Sequence, residues 1–130
     1  MNSTQVVRLS TSTLESIMSV IEQMTRNEEY PNEFCVIRVW FADVANKYLK
    51  SNTPPEGFAV YYAKEGNYSN PEVIAHAKAI WKKGLVPVEV IQMTGAFFYA
   101  LPQDKVKNHK LRDAFLLRAE EHIPDVVVFE

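Results

Sequence analysis

Cysteine is all but absent from this chain. The one thiol, Cys35, excludes an intramolecular disulfide and any zinc site that needs two thiolates from a single chain. Such usage fits a reducing compartment, and a cytoplasmic location is expected. Histidine is nearly as scarce: His76, His109 and His122 form no close-spaced metal motif. On one helix, His109 and His122 would stand about 220° apart around the axis, so that helix cannot bring both to one ligand. No apolar run approaches the roughly 18 residues of a membrane span. The first ten residues also lack the basic stretch and apolar run of a secretory leader, so no membrane partner is expected. Positive charge is not in excess either. Fourteen Lys and Arg against sixteen Asp and Glu leave a net charge of −2, which argues against a dedicated duplex-DNA binder. There is no phosphate-cradling Walker motif, and Ser69 sits in no nucleophile elbow. The expectation is no catalytic residue, no cofactor and no metal.

What is present is a foldable composition. A length of 130 residues with 47% hydrophobic and 23% charged content suits one domain with a real core and is far from the signature of disorder. The chain divides into a helical part over residues 1–57 and an α/β part over 58–130. Ser12-Thr13-Leu14-Glu15 has capping-box spacing and predicts a helix over about 13–26. Leu14, Ile17, Ile21 and Met24 form its apolar stripe, while Glu15, Glu22 and Gln23 face water. Over 32–50 the recurrence of Phe34, Ile37, Phe41, Val44, Ala45 and Tyr48 every three or four residues predicts a second helix, despite β-favouring Val36, Val39 and Trp40. Pro54-Pro55 then breaks the chain.

From Phe58 the elements read strand, helix, strand, strand, helix, strand. Phe58 to Lys64 is a strand; Asn70 caps a helix that has Pro71 at its first position and Gly84 just past its end. Val86 to Met93 and Ala96 to Leu101 flank Thr94-Gly95 as a hairpin. Asn108 opens a helix carrying Leu111, Ala114, Phe115 and Ala119, and Asp125 to Phe129 closes the pattern as a strand. This order resembles the split β-α-β-β-α-β arrangement of ferredoxin-like domains, giving an α+β fold with an N-terminal two-helix extension covering the other sheet face.

Alternation puts Tyr61 and Phe98 on one sheet face, on strands that a ferredoxin-like sheet makes central neighbours. Their positions resemble the base-stacking aromatics of RNA recognition motifs. Thr94 and Ala96 depart from that pattern, and the electrostatic groove of single-strand binders is missing. Coverage of this face by the N-terminal helices is the favoured alternative. The loop residues Lys64, Asn67, Tyr68, Ser69 and Asn70 deliver polar groups to a helix N-terminus and are the candidate small-ligand contacts. Asn, Gly and Ser there equally serve turn and cap chemistry. Cys35 reads as a buried residue, and Glu28-Glu29 and Glu120-Glu121 as solvated charge.

Three functions compete. The leading one is a non-enzymatic regulatory or inhibitory factor, of the kind phage and mobile elements carry, that binds a protein partner through Tyr30, Trp40, Tyr48, Tyr61 and Phe98, with homo-oligomers as a further option. The second is a small-ligand or nucleotide-binding protein, or an enzyme, using the 64–70 loop. The third is single-stranded nucleic-acid binding through Tyr61 and Phe98.

Overall fold

The computed structural model describes residues 11–111 and 118–123, without the side chains of Thr11, Phe97 and 118–123. It is an α+β fold on a mixed sheet of five strands: β1 (Val36–Phe41), β2 (Phe58–Ala63), β3 (Leu85–Gln92), β4 (Gly95–Pro102) and β5 (Arg118–Ile123). The order across the sheet is β2-β1-β3-β4-β5, with β1 and β3 parallel and the other neighbours antiparallel. Among the described residues the α-helices are α1 (Thr11–Asn27), α2 (Ala42–Val44), α3 (Pro71–Lys82) and α4 (Gln103–Lys107). A π-helical turn, Ala45–Leu49, continues α2, and a 3₁₀ turn, Glu65–Asn67, precedes α3. Among the described residues no helix is long and apolar enough to cross a membrane.

Helix α1 forms where its apolar stripe demanded. Ile17 and Ile21 are fully buried, and Leu14, Met18 and Met24 pack beside them against Ile37, Val39, Val88, Val90, Tyr99 and Leu101 of the sheet. Glu22 does not face water as expected; it is buried on the same side as Thr25, whose hydroxyl donates to the Glu22 carbonyl at 3.0 Å. Thr25 also contacts His109 Nδ1 at 2.9 Å, which ties α1 to the segment leaving α4.

The helix expected over 32–50 is instead a strand followed by short helical turns. Val36 to Phe41 alternates between two buried faces: Ile37 and Val39 meet α1, while Val36 and Trp40 join clusters on the opposite side. A central strand buried on both faces reads as an unbroken apolar run, so its period of two is hidden in the sequence. Helical spacing is real only from Ala42 onward, where Val44 and Ala45 pack on Trp40 and Ile91.

The expected strand over 58–64, the helix after Asn70 and the hairpin around Thr94 are all present. Asn70 Oδ1 accepts the Glu72 N–H at 2.9 Å, Pro71 is the first helical residue, and Gly84 takes the positive φ of 81° that ends α3. Gln103 closes the same helix end by donating Nε2–H to the carbonyls of Trp81 and Leu85 at 3.1 and 3.2 Å. Asn108 ends α4 rather than opening a helix, and Ala119 lies on β5. Ala114, Phe115 and the strand expected over 125–129 lie outside the described residues.

Candidate functional site

Two helical layers share the sheet face opposite α1. At one end Val73, Ala77 and Ile80 of α3 pack on Val36, Ala63, Phe98 and Ala100. At the other end α2 and the π turn cover Trp40, Ile91 and Ala96. Between these apolar clusters the register sets one row straight across four strands. Tyr61 pairs with Arg38, Arg38 with Glu89, and Glu89 with Phe98. The two middle members of this row are charged.

Arg38 and Glu89 form a buried ion pair. Arg38 Nε–H donates to Glu89 Oε1 at 2.8 Å, with side-chain exposures of 4% and 0%. The Tyr68 hydroxyl donates to the same Oε1 at 2.8 Å. The guanidinium carbon lies 4.2 Å from the Tyr68 ring centre and 5.7 Å from that of Trp40, close enough for cation–π attraction. Arginine and carboxylate commonly join through two parallel hydrogen bonds. Here a single one is made. Arg38 Nη2 and Glu89 Oε2 are both buried and have no protein hydrogen-bond partner among the described residues.

Burial works to lower the Arg38 pKa, but the facing Glu89 carboxylate and the neighbouring phenols outweigh it, so the net shift is upward and the guanidinium stays charged. Burial, and then the Glu89 carboxylate, raise the Tyr68 phenol well above its ordinary value. Burial likewise raises Tyr61. At neutral pH both phenols are therefore hydrogen-bond donors, not anions.

Tyr61, Tyr68 and His76 are half-buried, and each neighbours a member of this row: Arg38, Glu89 and Phe98 respectively. The His76 ring, from α3, lies 5.1 Å from Phe98. Of the five loop residues singled out in the sequence, Tyr68 is the one whose side chain hydrogen-bonds to the row among the described residues. Lys64 pairs with Glu33 at 2.9 Å. Asn67 Oδ1 accepts the Lys64 N–H at 2.8 Å, Asn70 caps α3, and Ser69 is exposed.

The five aromatics proposed as an interaction surface are dispersed. Tyr30, Trp40 and Phe98 are buried, Tyr61 is half-buried, and Tyr48 is exposed on the π turn. Tyr61 and Phe98 share a sheet face as alternation indicated, but β1 and β3 lie between them, and α3 rather than the N-terminal region packs over Phe98. Cys35 is buried just before β1, its thiol pushed up by burial, with Tyr30 Oη 3.9 Å from Sγ. Among the described residues no three His, Cys, Asp or Glu are grouped as metal ligands.

Sequence reasoning passed over Arg38 and Glu89. Their signal was legible: each is a lone charge inside an apolar β-run, Val-Ile-Arg-Val-Trp and Val-Glu-Val, and the two charges are opposite. A search of family models, of curated proteins and of solved structures found no match to the chain.

Proposed function

We propose that the chain binds a small polar ligand at the Arg38–Glu89 row, beside the half-buried Tyr61, Tyr68 and His76. The observation that carries this reading is the pair of buried atoms, Arg38 Nη2 and Glu89 Oε2, that make no hydrogen bond to a described protein group. Leaving a buried polar group unpaired costs about 1–3 kcal/mol, and more when it is charged. A buried ion pair is also a poor source of net stability, since apolar replacements of similar volume often do as well or better. Two such atoms on one ion pair in a sheet core therefore favour a binding role over a structural one. Tyr68 links this reading to the 64–70 loop, from which ligand contacts were expected. Native mass spectrometry of the chain purified from its own cells tests it. A retained small molecule that is lost in the Arg38→Met/Glu89→Leu double variant supports the proposal, whereas a bare chain under every purification condition counts against it.

The reading of a protein partner keeps one specific support. Tyr48 and Leu49 on the π turn and Met93 on the β3–β4 turn are large hydrophobic side chains 40%, 44% and 46% exposed. The Met93 N–H donates to Asp43 Oδ2 at 3.2 Å, which holds that turn against α2 just before Tyr48. Replacing Tyr48 and Leu49 with serine should abolish co-purification of a stoichiometric partner, if this surface holds one, without changing the melting midpoint.

A further inference from the structure

The chemistry of the row restricts its ligand, and the restriction rests on the ligand-binding reading above. Glu89 Oε1 already accepts two hydrogen bonds, from Arg38 Nε and the Tyr68 hydroxyl. Oε2 accepts none from a described protein group, and Arg38 Nη2 donates to none. The ligand must therefore bring one acceptor and one donor. Charge decides between the ways of doing so. One guanidinium and one carboxylate make the row formally neutral, and both are buried. A phosphate or carboxylate ligand would satisfy Nη2 but force an anion against Glu89 in a medium where like charges repel strongly. An amine would satisfy Oε2 and meet the same opposition from Arg38. A neutral group with donor and acceptor on one edge answers both atoms and strands no charge beside either.

The surroundings add shape. The rings of Tyr68 and Trp40 lie along the guanidinium, the Trp40 and Tyr61 ring centres are 6.0 Å apart, and Phe98 ends the row. Flat aromatic walls favour a flat guest.

We infer that the site takes a neutral, planar ligand with adjacent N–H and C=O on one edge, the cyclic amide edge carried by nucleobases such as uracil and hypoxanthine. The carbonyl accepts from Arg38 Nη2 and the ring N–H donates to Glu89 Oε2.

The test measures the melting midpoint and the calorimetric affinity of the full chain with 1-methyluracil, 1,3-dimethyluracil, hypoxanthine, 1-methylhypoxanthine, benzoate and inorganic phosphate. The expected result is saturable binding of 1-methyluracil or hypoxanthine, at least tenfold weaker binding of the counterpart whose ring N–H is methylated, and loss of that preference in Arg38→Met/Glu89→Leu. Circular dichroism establishes that the double variant is folded, and an Arg38→Lys variant, which keeps both charges but removes Nη2, serves if it is not. In Arg38→Lys the affinity for the unmethylated base is expected to fall at least tenfold, because the carbonyl loses its Nη2 donor, and an undiminished affinity overturns the inference. Preferential binding of benzoate or phosphate overturns the cyclic-amide inference and leaves the small-ligand reading standing. Equal binding of methylated and unmethylated bases does the same. A melting midpoint unmoved by every probe, together with a bare chain in native mass spectrometry, overturns both.

Discussion

Arg38 and Glu89 show how differently one side chain weighs alone and with its partner. Glu89→Gln leaves the guanidinium buried without its counter-charge, and breaking a buried pair in this way costs about 3–5 kcal/mol. The double variant Arg38→Met/Glu89→Leu removes both charges and is expected to lie near the wild type in stability. Chemical denaturation of the three proteins checks the ordering, and a Glu89→Gln chain as stable as the wild type would contradict the buried pair. Tyr62 supplies a second case. Its hydroxyl is buried without a protein partner among the described residues, and burial raises its pKa to about 12 from the ordinary 10. A phenol whose folded pKa lies above its unfolded value favours the fold fully below about pH 10 and loses that contribution as pH climbs towards 12. Tyr30 and Tyr68 are raised as well, so they push in the same direction. Stability should fall over this alkaline window, and Tyr62→Phe should flatten the fall. At pH 7 the same substitution should leave stability unchanged or raise it by up to about 1 kcal/mol, because it deletes an unpaired hydroxyl.

At the level of elements, the π turn and the loop after it are held by polar contacts where apolar ones are few. Asn46 Nδ2–H donates to the Thr53 carbonyl at 2.8 Å, and its Oδ1 accepts from the Thr53 N–H and the Ser51 hydroxyl at 2.8 and 3.0 Å. Lys50, which ends the π turn, sits at a φ of 53°, in the left-handed region. That conformation costs a residue with a Cβ roughly 1–2 kcal/mol, most of which glycine avoids. Lys50→Gly is therefore expected to stabilise the chain by about 1 kcal/mol after the added freedom of the unfolded state is counted. Asn46→Ala should destabilise it by about 1 kcal/mol or more, since it removes three exposed hydrogen bonds, each worth about 0.5–1.5 kcal/mol net where water does not replace it. Urea midpoints read both, and a loss on Lys50→Gly would show that the lysine side chain matters more than its backbone. The elements were unevenly legible in advance. Helix α3 was marked at both ends by Asn70, Pro71 and Gly84, and α1 by its stripe, because caps and amphipathic faces are local signals. Strand β1 was misread as helix because burial on both faces erased its alternation, and the following helical turns lent the whole stretch a false period.

For the whole molecule, the sheet needs helices on both faces. Helix α1 covers one face through Ile17 and Ile21, and α3 and α2 cover the other. Deleting a fully buried isoleucine side chain to alanine costs about 2–5 kcal/mol, so Ile21→Ala should lower the melting midpoint by several degrees. A midpoint unchanged by Ile21→Ala would mean that α1 is not part of the folded core.

The sequence by itself determined the local features: the helical run of α1, the bounds of α3, the β3–β4 hairpin, and the division of Tyr61 and Phe98 from Val60, Tyr62 and Tyr99 into two faces. Each follows from residue periods and end signals within about a dozen neighbours. Only the tertiary structure decided that β1 inserts between β2 and β3, and with it that Arg38 meets Glu89 fifty-one residues away while Tyr61 and Phe98 are parted. Strand order is set by which faces bury best against one another over the whole chain, and a buried charge declares its partner only when both strands lie side by side.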